Sequence, residues 1–216
     1  MNSRSRGSSQ PLKRHDLVVI APIFSNADPI LAAWTTNGWP LISRRPTPDD
    51  VEGVALGLPL PPSQGKRRLS FVVQRDQIVS IREPLHLSDV AQKAPSSWLP
   101  TINHIKSLAS GNRLEIRVFG SLAWSALTGL DYLTESSDLD LLIYVNADTN
   151  LDRVLGRLAQ IQALAPMRLD GEFVRADGAA ANWREFRSTA GAVLIKSLES
   201  AGFIDRNKFL AGDVAT

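Results

Sequence analysis

Two aspartates lead into an apolar run, Ser137-Asp138-Leu139-Asp140-Leu141-Leu142-Ile143-Tyr144-Val145, and this pattern constrains the chain more than any other. In an extended strand, successive side chains point to opposite faces. Leu139, Leu141 and Ile143 therefore share one side, and Asp138 and Asp140 the other. The strand must bury its first face while its second holds two like charges that repel. A fold keeps such a pair where something offsets it, and a hard divalent cation does this well. Mg2+ takes oxygen ligands, commonly one or two carboxylates together with substrate phosphates. An all-carboxylate set favours Mg2+ or Mn2+ over zinc.

A second element lies upstream. Residues 114–119 read as a strand that ends in Gly120-Ser121, and a helix follows over residues 121–130. Glycine lets the backbone approach a ligand closely. The first amides of a helix favour phosphate, and the Ser121 hydroxyl adds a donor. Phosphate donors thus come to lie beside a metal-binding pair. The next strand, residues 167–174, carries Asp170 and Glu172 on one face. Either can supply a third acid, and Asp170 is favoured.

Order is expected from about Leu12, after a basic tail over residues 1–11 that reads as disordered. Residues 16–21 form a strand. Asp28-Pro29 starts a helix, with an N-cap followed by proline at the first helical position, and Gly38 ends it. Residues 40–43 and 53–58 are extended, and residues 59–66 form a Pro-rich loop. Residues 68–73 and 77–81 flank Gln74-Arg75-Asp76 and read as a hairpin. A helical stretch over 87–93 precedes a joint at residues 95–100. The result is a small β-rich N-terminal domain, 12–94, and a second domain, 95–210. The second domain adds helices over 99–110, 151–164 and 189–200. This alternation of strands and helices predicts an α+β fold with a mixed sheet.

The chain has no cysteine, which excludes disulfides, thiolate zinc sites and cysteine nucleophiles. Its net charge is +2, from 24 basic and 22 acidic residues. Arg4, Arg6, Lys13 and Arg14 sit in a first segment without acids, so the remainder is slightly acidic. That argues against nucleic acid as a partner, because backbone binding wants basic surface. Apolar runs are strand-sized, and a span needs about 20 residues. No apolar stretch backs the first residues, so neither a membrane segment nor a secretory signal is expected, and the compartment expected is the cytoplasm.

Gly120-Ser121 followed by Asp138-x-Asp140 resembles the signature of the polymerase-β-like nucleotidyltransferase superfamily. The resemblance implies a nucleotidyltransferase-type mixed sheet, terminal phosphates held by the glycine-serine element, and metal held by Asp138, Asp140 and an acid on the neighbouring strand. More segments look like one branch of it. They are Arg14-His15-Asp16-Leu17, Arg44-Arg45, Gly57-Leu58-Pro59-Leu60-Pro61-Pro62, Gly65-Lys66-Arg67-Arg68, Asp170-Gly171-Glu172, Asp177-Gly178 and Asn182-Trp183-Arg184-Glu185, together with the stretch carrying Lys196. This combination resembles the phosphoribosyl-dephospho-CoA transferases of malonate decarboxylase, its holo-acyl-carrier-protein synthases, over about residues 12–204.

That family implies a donor, 2′-(5″-triphosphoribosyl)-3′-dephospho-CoA, and an acceptor, a serine of the malonate decarboxylase acyl carrier protein. Pyrophosphate leaves. Arg44, Arg45, Lys66, Arg67, Arg68 and Lys196 are candidates for the donor's phosphates, with Glu172 in reserve as third acid. Trp183 reads as core or groove wall, with stacking on adenine as the alternative, and His15 with Asp16 as the structural start of the first strand, with a site pair as the alternative. The Gly-Ser and Asp-x-Asp elements alone also permit adenylylation of another protein or small molecule, or a degenerate nucleotidyltransferase-like binding module.

Overall fold

The computed structural model describes residues 5–6, 11–23, 28–187 and 191–211, and these build two β-sheets with helices in an α+β arrangement. The first sheet holds β1 (Ser5–Arg6), β2 (Leu17–Ile20), β3 (Leu41–Ser43), β4 (Val54–Pro59), β5 (Arg68–Val73) and β6 (Ile78–Arg82). Their order is β1-β6-β2-β3-β4-β5, and every pair is antiparallel. Helix α1 (Pro29–Thr36) begins where the Asp28 carboxylate accepts from the amides of Ile30 and Leu31. Its Trp34 indole donates to Pro40 O at 2.9 Å and packs against Trp39 and Trp124. Val18, Leu41, Leu56, Leu58 and Ile81 fill this first core.

Two expectations for this half are corrected. Residues 68–73 and 77–81 are not a hairpin: β5 pairs with β4, and β6 pairs with β2. The intervening segment is a 3-10 turn over Arg75–Gln77, closed when Gln74 N donates to Gln77 Oε1 at 2.8 Å. The Gln74 side chain also donates to Glu52 O. This turn carries the chain across the sheet instead of reversing it. The hairpin is β4–β5, whose loop closes with Leu60 N on Arg67 O at 2.8 Å. The tail also departs from expectation. Residues 1–4 and 7–10 lie outside the described residues, but Ser5 and Arg6 pair with Arg82 and Ile81.

The second sheet has the order β13-β12-β11-β10-β9-β8-β7. Its strands are β7 (Leu85–His86), β8 (Glu115–Val118), β9 (Leu139–Tyr144), β10 (Leu169–Val174), β11 (Ala180–Asn182), β12 (Ala192–Lys196) and β13 (Ala201–Asp205). The change of sheet falls at Glu83-Pro84, and α2 (Leu87–Val90) already packs in the second core. Helix α3 (Leu99–Asn112) runs through Gly111 and stops at Arg113, which takes the left-handed conformation with φ 53°. Helix α4 (Gly120–Thr128) follows β8. Strands β9 and β10 are parallel, and α5 (Leu151–Leu164) supplies the crossover such a pair requires. Leu139, Leu141 and Ile143 enter one core with Ile102, Ile105, Leu155 and Leu158. The opposite face carries the carboxylates and a small cluster of Leu142, Val174 and Ala180.

The helix expected over residues 189–200 is instead part of the β12–β13 hairpin; residues 188–190 lie outside the described residues. Val193 and Ile195 alternate into the core while Leu194 and Lys196 face away, the period of a strand. The Ser197–Ser200 turn is closed by Ser197 N on Ser200 O at 2.8 Å. Phe186, Phe173 and Phe209 anchor this end through edge-on ring contacts. Among the described residues no helix is long and apolar enough to cross a membrane. Phe186 is fully buried. Phe186→Ala is therefore expected to lower unfolding stability by about 3–5 kcal/mol, read from denaturant titration.

Candidate active site

The site begins where β8 runs into α4. Phe119 is extended, and its amide donates to Asp140 O at 3.2 Å, which pins the end of β8 to β9. Gly120 then takes φ 66°, a left-handed conformation. A Cβ at this position would overlap the Asp140 carboxylate. Only glycine lets the helix start this close to the acid. No side chain caps α4, so its first amides remain available to a ligand. Ser121 lies in the first turn and faces the same cavity.

Asp140 stands opposite Asp170 in the parallel register of β9 and β10, and Asp138 precedes β9 on the same face. Burial pushes the Asp140 carboxyl up to about 7, and repulsion from Asp170 and Asp138 adds to the effect. Arg68 and Arg168 pull the other way. Asn182 donates from Nδ2 to Asp170 Oδ1 at 2.8 Å and orients it. Arg168 reaches Asp138 at 3.6 Å and Asp170 at 3.4 Å. Among the described residues, no three carboxylate or imidazole groups converge as a ready cage for an ion.

Glu172, the reserve acid, is engaged elsewhere. Arg14 forks onto it at 3.0 and 3.2 Å, and His15 Nε2 lies 3.5 Å away. Burial pushes Glu172 up, but His15 and Arg14 outweigh it and hold the acid at about 2. Burial also pushes the His15 imidazole down. The His15 ring lies 4.3 Å from that of Phe119, and its backbone takes φ 67°. The N-terminal segment thus docks directly on the face that carries the acids.

A cavity of about 500 Å³ opens between the two sheets and reaches Asp140. At its inner end are Gly120, Ser121 and Phe119; Lys66, Arg67 and Arg68 stand on one wall; Leu58, Pro59, Leu60, Trp124 and Tyr132 form an apolar stretch. Tyr132 donates to Pro59 O at 2.8 Å and ties the two sheets together beside it. Lys66, Arg67 and Arg68 are exposed, and their side chains make no hydrogen bond or ion pair among the described residues. The loop bearing them is set by Gly65 and Lys66, both left-handed.

The other basic candidates are placed differently. Arg44 forks onto Asp50 at 2.5 and 2.7 Å and holds that carboxyl well below its usual range. Arg45 donates to Ser197 O and Ser200 O at 3.0 and 2.7 Å, bracing the β12–β13 turn. Both line the cavity with their guanidinium groups already engaged. Lys196 pairs with Ala180 in the sheet and lies outside the cavity wall. Trp183 is core: it is buried and donates to Leu169 O at 3.2 Å.

Sequence reasoning gave no site role to Arg168, Asn182, Trp124 or Tyr132, although Asn182 falls in a segment that carries the family resemblance, and it read His15 chiefly as structural. Arg168 had a usable signal. It sits two residues before Asp170, so the alternation that places Asp170 and Glu172 on one face places Arg168 there too. The others come from tertiary packing.

One cavity thus joins the uncapped amides of α4, the Asp140 carboxylate, and cations that are unpaired among the described residues. Comparison with known proteins gives the family. The Phosphoribosyl-dephospho-CoA transferase MdcG C-terminal domain matches residues 86–207, and the corresponding N-terminal domain matches residues 13–84. A phosphoribosyl-dephospho-CoA transferase of Bradyrhizobium diazoefficiens is 43% identical, with 98% of each chain covered. One of Xanthomonas campestris is 36% identical, covering 83% of this chain and 85% of its own. No solved structure matches. The chain belongs to the MdcG family of phosphoribosyl-dephospho-CoA transferases.

Asp140 gives a pH prediction. Burial, with repulsion from Asp170 and Asp138, pushes its carboxyl from the ordinary carboxylate range up to about 7. Between these, the unfolded chain has lost a proton that the folded chain keeps, so stability falls as pH rises through that window. Asp140→Asn removes the slope. The variant is expected to match the parent near pH 4 and to exceed it by about 1–2 kcal/mol near pH 8 with chelator present, as read by melting curves.

Proposed function

We propose that this chain moves the phosphoribosyl-dephospho-CoA group from 2′-(5″-triphosphoribosyl)-3′-dephospho-CoA to a serine of the malonate decarboxylase acyl carrier protein, on a nucleotidyltransferase-type site in the cytoplasm. The observation that carries it is the continuity of the cavity. One space joins the α4 amides and Asp140 to three unpaired cations and to an apolar stretch ending in Trp124 and Tyr132. A donor with a triphosphate, further phosphates and a long, partly apolar arm uses all three. The family membership supports the donor.

The chain's own groups divide the work. The α4 amides and Ser121 hold the terminal phosphates, where helix N-termini favour anions. Lys66, Arg67 and Arg68 hold phosphate in the body of the donor, with arginine suited to two-point contact. Asp170, oriented by Asn182, accepts the proton of the attacking serine. The new bond joins the serine oxygen to the phosphorus nearest the ribose, and the bond from that phosphorus to pyrophosphate breaks. Pyrophosphate leaves on the Gly120-Ser121 side. Most of the rate comes from positioning and charge stabilisation.

Mg2+ or Mn2+ suits this donor set: hard carboxylate oxygens on adjacent strands, with the Asp140 carboxyl pushed up by burial and further by Asp170 and Asp138. Asp138, Asp140 and Asp170 would hold such an ion, which supplies charge neutralisation at the reacting phosphate oxygens. Glu172 is left to anchor Arg14 and His15.

The test is a mass spectrum of the apo carrier protein after incubation with this chain, Mg2+ and the triphosphoribosyl donor. A gain equal to the phosphoribosyl-dephospho-CoA group is expected, and Asp138→Ala is expected to lower its rate at least about 10³-fold. A nucleotide-sized gain from ATP instead would overturn the donor assignment. Arg67→Ala and Arg68→Ala are each expected to raise the donor KM about tenfold with kcat nearly unchanged, the pattern of lost ground-state binding.

A further inference from the structure

Arg168 occupies a position that the proposed chemistry does not use. It directly precedes β10, and its guanidinium lies between the carboxylates of Asp138, at 3.6 Å, and Asp170, at 3.4 Å. These are the two acids that flank Asp140. Both distances exceed a good hydrogen bond, so charge holds the side chain in place, without tight geometry. The Arg168 side chain is 58% exposed, against 35% and 30% for its partners. Asp170 has a directed bond from Asn182 at 2.8 Å, so its orientation does not depend on Arg168. Asp140 lines the cavity, whereas Asp138, Asp170 and Arg168 do not. Arg168 therefore stands with the two acids that lie away from the cavity wall.

We infer that Arg168 is the resident counter-ion of the acidic cluster, a positioning residue that a divalent cation displaces when it enters with the donor. This rests on the proposed role of Asp138, Asp140 and Asp170 in holding that cation. Three carboxylates on neighbouring strands repel one another, and a fixed positive charge between two of them offsets the repulsion before substrate arrives. A guanidinium keeps its charge at any working pH, so it does this reliably. It also competes with a metal ion for Asp138 and Asp170. Weak, partly exposed contacts give way easily. The donor-free protein would therefore hold cations loosely, and the donor's phosphates would add oxygen ligands to those of Asp138, Asp140 and Asp170.

The test is Mn2+ binding to the full chain without donor, at low salt and about pH 8, followed by the electron paramagnetic resonance signal of free Mn2+. Parent, Arg168→Gln, Arg168→Lys and Asp138→Asn are compared after melting curves show each to be folded. Arg168→Gln is expected to bind Mn2+ about fivefold more tightly than the parent, the scale of one partly exposed charge partner removed. Arg168→Lys, which keeps the charge, is expected within about twofold of the parent. Equal or weaker binding by Arg168→Gln, with binding lost in Asp138→Asn, overturns the counter-ion role and leaves the metal site standing. Unaltered binding by Asp138→Asn overturns the metal site and the inference with it.

Discussion

Everything at this site depends on how closely Gly120 approaches the Asp140 carboxylate. The contact needs a residue without Cβ in a left-handed conformation, directly after a strand hydrogen-bonded to β9. It joins two chemistries that would otherwise repel a common ligand. Helix amides attract phosphate, and a buried carboxylate repels it. A phosphorylated substrate therefore binds well only with added positive charge. Burial pushes the Asp140 carboxyl up, and repulsion from Asp170 and Asp138 adds to it.

The first sheet supplies what the second lacks. Its β4–β5 loop brings Lys66, Arg67 and Arg68 to the cavity, and its strand residues build the apolar wall. Among the described residues, these contacts are prominent in holding the sheets together around the cavity. Arg14 forks onto Glu172, His15 packs on Phe119, Tyr132 bonds to Pro59, and Arg45 grips the β12–β13 turn. Two of these use residues with the chemistry of ligand binders. Glu172 and Arg45 are spent on docking, which makes the cavity a product of sheet packing and not of either sheet alone.

The central strand and its acids were legible in the sequence because period-two alternation is a local rule. Leu139, Leu141 and Ile143 enter the core, and Asp138 and Asp140 take the other face, as the pattern requires. The start of α1 at Asp28-Pro29 and the extent of α5 were legible for the same reason. The misreadings are places where a local pattern has two solutions. Strands 68–73 and 78–82 look like a hairpin until pairing partners elsewhere in the sheet claim them. Ala192–Lys196 is short and apolar, and only the strand opposite it decides that it is extended. Arginine roles were least legible, since a guanidinium in a loop serves equally as phosphate anchor or internal brace. Arg44 and Arg45 became braces, whereas Arg67 and Arg68 kept their side chains toward the cavity.

The proposed function requires one cavity to seat the donor from the α4 amides to Trp124 and Tyr132. The most direct measurement is a crystal structure with the triphosphoribosyl donor and Mn2+, using anomalous scattering to place the metal. Terminal phosphates are expected on the Gly120 and Ser121 amides, Mn2+ between those phosphates and Asp138 and Asp140, and the CoA-derived arm against Trp124 and Tyr132. A donor seated outside this cavity, or Mn2+ away from both aspartates, would contradict it.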